Sequence, residues 1–210
     1  MPLVRVASQL VYFAHVPKCA GTSIEDYLRR RFGMVAMLDR NYLSRDPDLR
    51  WSKSSPQHIA VADLGRMFPI RFFDAKFAVV RHPVDRITSV FLFQRDVQGT
   101  IPEGQSMEEW LQGLDAAIAA DEFLYDNHVR PMADFIPAGT DVFRLEEGLD
   151  RVIVWLDSLA GDEGGPREMA RRNTRATRPG GTEPFEVSDD ARALIAEIFA
   201  RDFEQYGYQD

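Results

Sequence analysis

The stretch Val11-Tyr12-Phe13-Ala14-His15-Val16-Pro17-Lys18-Cys19-Ala20-Gly21-Thr22-Ser23-Ile24 constrains the fold of this 210-residue chain more than any other. Val11 to Val16 is apolar, partly β-branched and of strand length, and Pro17 ends it by removing a ladder donor. A tight turn must follow. Ala20 and Gly21 are small enough for the backbone to approach a ligand closely. Thr22 or Ser23 offers a cap for a helix whose apolar residues Ile24, Tyr27 and Leu28 fall at i, i+3 and i+4. Gly33 stands where a C-terminal stop belongs. A helix start presents unpaired N–H groups and the positive end of its dipole, and Lys18 adds a full charge at the entrance, so the expected guest is a phosphate or sulfate. A plain strand-to-helix turn with a surface lysine stays open on this stretch alone. A nucleotide kinase fits less well: its loop reads G-x-x-x-x-G-K-[ST], with lysine after the second glycine, and no such string occurs here.

A second stretch, Phe77 to Phe91, repeats the grammar. An apolar strand ends at Arg81, Pro83 takes a favoured first helical position, and Ile87, Val90 and Phe91 share one face of the following helix. Arg81 therefore lies at a strand's carboxyl end, the edge where open α/β sheets bind ligands, and its planar guanidinium suits a terminal phosphate. Ser89 borders the buried face and offers a hydroxyl to the same group. A salt bridge for Arg81 and simple helix packing for Ser89 are the alternatives.

The alternation continues. Asp141 to Glu146 reads as a short strand, with Leu149, Ile153, Trp155 and Leu156 marking the next helix. Ser106-Met107-Glu108-Glu109 opens another helix with a capping box and runs it to about Ala119. Leu194, Ile195, Ile198, Phe199 and Phe203 form an apolar stripe on a helix from about Ser188 to Tyr206. Arg40 to Ser55 is polar and turn-rich, an insertion loop within the domain. The pattern predicts one α/β domain over 1–210.

Pro17-Lys18-Cys19-Ala20-Gly21-Thr22-Ser23 resembles the 5'-phosphosulfate loop of sulfotransferases that use 3'-phosphoadenylyl sulfate (PAPS). Arg81 to Ser89 resembles their 3'-phosphate motif, an arginine at a strand end followed eight residues later by serine. The similarity is strongest to the carbohydrate branch that includes the heparan sulfate 2-O type, with Cys19 in place of a common threonine. This resemblance implies a P-loop-like three-layer fold, a central mostly parallel sheet flanked by helices. It also implies a PAPS site built from Lys18, Cys19, Ala20, Gly21, Thr22, Ser23, Arg81 and Ser89. Lys18 would stabilise the leaving oxygen, Gly21, Thr22 and Ser23 would hold the 5'-phosphate, and Arg81 and Ser89 the 3'-phosphate. Sulfuryl transfer depends on in-line placement and on stabilising spreading negative charge. It requires no metal, and the single cysteine and four histidines show no pair at metal-ligand spacing along the sequence.

An attacking hydroxyl must lose its proton, and histidine is the side chain best matched to neutral pH. In the related branch a histidine between the two motifs is the base, which singles out His58 in Ser54-Ser55-Pro56-Gln57-His58. A helix-capping role for His58 is the alternative, and His128 in Tyr125-Asp126-Asn127-His128 is the second candidate. His15 and His82, inside the motifs, read as structural or orienting. Glu25 and Asp26 read as first-turn carboxylates that complement the helix dipole. The arginine-rich segment Arg171 to Arg178 resembles a loop that closes over the nucleotide. The loop Gln98 to Gln105 is placed to face an acceptor.

The net charge of −8 disfavours nucleic-acid binding and a broad basic groove for a highly sulfated polymer, so a neutral hydroxylated acceptor, small molecule or glycan, is expected. The lack of a long apolar span or signal sequence, with a single cysteine, points to a cytoplasmic protein without a membrane span. A kinase and a catalytically silent PAPS-binding protein are the rival readings.

Overall fold

The structure is a computed structural model, and it describes residues 1–170 and 185–209. A five-stranded sheet forms its centre: β1 (Leu3–Val6), β2 (Gln9–Ala14), β3 (Val35–Ala36), β4 (Ala75–Val80) and β5 (Asp141–Arg144), in the order β3-β1-β2-β4-β5. β2, β4 and β5 are parallel neighbours, with Phe13 opposite Phe77 and Val80 opposite Arg144. β1 runs antiparallel to both β2 and β3. The expected α/β fold with a mostly parallel core is therefore present, and the antiparallel flank is an addition. β1 and β3 carry too few residues for periodicity to reveal them.

Eight α-helices accompany the sheet among the described residues: α1 (Gly21–Phe32), α2 (Val61–Met67), α3 (Pro83–Asp96), α4 (Met107–Gln112), α5 (Leu114–Ala120), α6 (Asp150–Ala160), α7 (Asp189–Ile198) and α8 (Ala200–Tyr206). The two-residue alternation of strand side chains sorts them into layers. Val11, Phe13, Phe77 and Val79 face Ile24, Tyr27 and Leu28 of α1 and Val152, Ile153 and Leu156 of α6. Tyr12, Ala14 and Ala78 face the opposite way, onto Leu64 of α2 and Phe73. A third cluster joins α3, α4 and α7 through Ile87, Val90, Phe91, Trp110, Leu111 and Ile195.

Two expected helices are each divided. The Ser106 capping box forms, but Gly113 splits the helix into α4 and α5. The C-terminal stripe breaks at Phe199, whose side chain stays in the core while its backbone leaves helical geometry. What matters for a ligand is that β2 and β4 end side by side, each feeding a helix, so the two sequence motifs converge on one sheet edge.

Candidate active site

The β2–α1 connection is a short loop with unusual backbone. Lys18 and Ala20 both have positive φ, 67° and 64°. Non-glycine residues occupy that region at a cost, and alternation of this kind turns successive N–H groups toward one side, as in anion-binding nests. Ala20 takes the N-cap position with no side-chain hydrogen bond, so α1 begins at Gly21. Thr22 and Ser23 therefore lie inside the first turn, contrary to the expectation that one of them caps it. Cys19 points inward: it is 1 % exposed and packs in the core, and burial pushes its thiol up to about 12. Only its backbone is available to a ligand. The Lys18 ammonium sits 4.0 Å from the centre of the Phe93 ring, on α3.

Arg81 directly follows the end of β4, and Pro83 is the first residue of α3, as the sequence predicts. Arg81 forms no hydrogen bond or ion pair with a described residue, so the salt-bridge alternative has no partner among them. Ser89 is half-buried one helical turn before Phe93. The neighbouring His82 is held by its backbone N–H donating to Glu146 Oε1 at 2.6 Å and by its ring nitrogen at 2.9 Å from the Gln209 carbonyl.

Three histidines, from three separate segments, stack edge to face. His58 meets His15 with ring centres 4.7 Å apart and His128 with centres 4.9 Å apart. Each outer contact is backed by further groups. His58 Nδ1 is 2.6 Å from Asp126 Oδ2, and Ser55 Oγ donates to the same oxygen at 2.6 Å. The Ser55 backbone N–H donates to Asp126 Oδ1, also at 2.6 Å. Burial would raise the Asp126 carboxyl, but His58 and the Ser55 donors outweigh it and hold it down at about 2. On the other side, His15 Nδ1 lies 2.7 Å from Glu25 Oε1. Burial pulls His15 down to about 4 despite that carboxylate, so it is neutral at neutral pH. Burial, reinforced by the His58 and Lys18 charges, holds His128 well below its ordinary value, which also places Lys18 near this cluster.

Asp126 reaches His58 through a costly backbone. Tyr125, Asp126 and Asn127 have φ of 52°, 58° and 65°, three consecutive left-handed residues without a glycine. Such a run persists only where surrounding contacts over-determine it. Here Asn127 Nδ2 donates to the His58 carbonyl at 2.9 Å, and Arg86, 0 % exposed, donates to the carbonyls of His128 at 3.1 Å and Arg130 at 2.9 Å. Arg86 in turn faces Asp202 of α8, which accepts from the backbone N–H groups of Met132 and Ala133.

A family model described as the sulfotransferase family matches residues 3–209, nearly the whole chain. The chain belongs to the sulfotransferase family. No curated protein and no solved structure matches it significantly. Members of this family are transferases that generally take their sulfuryl group from PAPS, and the reaction implies an acceptor bearing a hydroxyl.

Within this sulfotransferase the sequence candidates are placed as follows. Lys18, Cys19 and Ala20 lie in the β2–α1 loop and Gly21, Thr22 and Ser23 in the first turn of α1, Arg81 precedes α3 and Ser89 lies midway along it, and His58 stands at the end of a short 3-10 turn, Pro56–His58, with its alternative capping role unfilled: Ala60, not His58, precedes α2. Glu25 and Asp26 lie in the second turn of α1, not the first, because the helix starts early, at Gly21. Glu25 is 2 % exposed and turned to His15, with Arg40 also contacting it, and Asp26 accepts from Arg40 and Arg29. The dipole reading of these two carboxylates is therefore replaced by specific pairing. His58, Asp126 and His128 each bring a ligand-capable atom within 4.8 Å of the others, a grouping invisible in sequence spacing. Both Asp126 oxygens are already engaged by Ser55 and His58, while His128 joins the group through its ring contact with His58. Asp126, Ser55, Arg86 and Phe93 are absent from the sequence candidates. The left-handed run of Asp126 carries no glycine signal, and Arg86 looks like one more helix arginine. The segment Arg171 to Arg178 lies outside the described residues. No helix among those described is long and apolar enough to cross a membrane.

Proposed function

We propose that this sulfotransferase, as one domain over 1–210, moves the sulfuryl group of PAPS to a hydroxyl of a carbohydrate or glycan-containing acceptor, with Lys18 stabilising the leaving group and His58 as general base. The observation that carries the reading is the 2.6 Å contact between His58 Nδ1 and Asp126 Oδ2. A buried, ionised carboxylate at Nδ1 fixes the tautomer that leaves Nε2 as a proton acceptor and stabilises the imidazolium that forms, an arrangement a silent binding module would not need. It also favours His58 over His128, whose Nδ1 has no hydrogen-bond partner among the described residues.

The donor set fits PAPS. The uncapped start of α1 with its left-handed approach suits one phosphate, and Arg81, lacking a described partner, suits a second at the next strand end. When bound, PAPS supplies an activated sulfuryl group on a phosphosulfate. Gly21, Thr22 and Ser23 hold the 5' end, Arg81 and Ser89 hold the 3'-phosphate, and Lys18 brings positive charge to the mouth of the loop. His58 takes the proton of the acceptor hydroxyl.

Calorimetric titration with PAP, the desulfated product, and with ATP separates this reading from a kinase, since a preference for ATP contradicts it. A screen of saccharide, lipid and small-molecule hydroxyls with labelled PAPS then assigns the acceptor. Transfer confined to non-saccharides would remove the carbohydrate part and leave the chemistry.

A further inference from the structure

We propose that His15 is a positioning residue that ties the anion-binding loop to His58, with Glu25 fixing its ring. The proposal rests on the PAPS and base roles given above. His15 immediately follows β2, and its ring is held on four sides. Its face stacks on Phe13, with centres 5.4 Å apart and planes 17° apart. Its Nδ1 meets Glu25 Oε1 at 2.7 Å, and the other Glu25 oxygen is met by Arg40 at 3.3 Å. His58 crosses it edge to face at 82°. The remaining edge rests on Gly21: a Cβ built there would lie 1.8 Å from His15 Nε2. Glycine at the first position of α1 is thus required by a histidine of this chain, where the sequence alone suggests room for a ligand.

The consequence is coupling. Nδ1 faces the Glu25 carboxylate, so the Nε2 edge is turned to the helix start while the ring's flank stands against the base. Any shift of His15 moves both the loop and His58. An apolar side chain of the same size would fill the volume yet leave Glu25, a buried carboxylate, with only the Arg40 contact. Arg40 comes from the loop that leads to His58, so the same pair links that loop to α1.

Two readouts test this, and neither needs an acceptor: PAP affinity by calorimetry, and titration of the His58 ring by NMR on histidine-labelled protein without cofactor. The groups facing His15 and His58 are Glu25, Arg40, Asp126, His128, Lys18 and the Met1 amine, so the titration is compared between variants that change one of them only. Gly21→Ala should weaken PAP binding, and adding His15→Ala should recover about tenfold of that loss, as expected for side chains in contact. Glu25→Gln, nearly isosteric, should shift the His58 titration clearly more in the wild-type background than when His15→Ala is already present, which separates coupling through His15 from the direct charge effect of Glu25 on His58. Independent, multiplying effects of Gly21→Ala and His15→Ala, or a His58 titration that Glu25→Gln leaves unchanged or shifts equally in both backgrounds, would overturn the proposal. Failure of the wild-type chain to bind PAP would instead overturn the cofactor reading, and the titration arm would still decide whether His15 positions the base.

Discussion

At the scale of single residues, the site is a set of charges whose states the fold dictates. His15 is neutral in the folded chain because burial lowers it to about 4, whereas the unfolded chain takes up that proton near 6.5. A group with a lowered folded value leaves stability intact above the unfolded value and removes it as pH falls, so His15 costs stability between about pH 6.5 and 4, on the order of 3 kcal/mol in total. His128 acts in the same direction. Asp126, depressed to about 2, adds stability that persists above its unfolded value near 4 and disappears as pH falls through 2. Urea unfolding at pH 7, 5.5 and 4.5 should show a steady loss, and His15→Asn should flatten it. An equal slope in that variant would mean His15 is not the titrating group. For turnover, His58→Ala should lower kcat by about 10²- to 10⁴-fold with PAP affinity unchanged. Lys18 and Arg81 stand out in the sequence because each sits between a strand end and a helix start, where local pattern and chemistry coincide, and Ser89 only through its spacing from Arg81. Asp126 does not, because its partner His58 is 68 residues away and only the folded chain joins them.

At the scale of elements, strand-then-helix order is legible wherever an apolar run meets a cap, a proline or a glycine. That holds for β2–α1, β4–α3 and the capping box of α4. Breaks inside helical stripes are not legible, because Phe199 satisfies the apolar pattern while tertiary packing bends the backbone between α7 and α8. Gly113 breaks α4 from α5 at φ −86° and ψ −4°, a geometry open to any residue, and a Cβ there meets nothing closer than 3.6 Å. Gly113→Ala should therefore stabilise the chain by about 0.4–1 kcal/mol in denaturant titration, by reducing unfolded-state freedom. Loss of stability instead would show that the break needs glycine. Arg86 has the opposite character. Its guanidinium joins α3 to the His128–Arg130 backbone and α8, and burial lowers its pKa while Asp202 offsets part of that. Arg86→Ala leaves two carbonyls and a buried aspartate without their cation, so unfolding free energy should fall by about 3–5 kcal/mol.

At the scale of the whole molecule, the parallel strands β2, β4 and β5 end on one edge of the sheet, the edge where open α/β sheets bind ligands and where the proposed nucleotide site lies. A cleft of about 600 Å³ lined by Val142, Arg144, Arg201, Gln205 and Tyr206 runs beside β5 and α8, without Lys18, Arg81 or a histidine. Overall charge guides the acceptor only weakly, because the site's cations, Lys18 and Arg81, are local while the −8 total is spread over the surface. The parallel core was legible from the repeated strand and helix grammar, and the antiparallel strands β1 and β3 were not, being too short to show a period. In the proposed reaction one edge of this sheet holds PAPS, with Lys18 and His58 acting on opposite ends of the transfer. Its most direct test is labelled-sulfate transfer from PAPS by the wild-type chain, Lys18→Ala and His58→Ala, using an acceptor found in the screen. Both variants should lose at least about 100-fold in turnover while His58→Ala still binds PAP normally. Full turnover in either variant would contradict it.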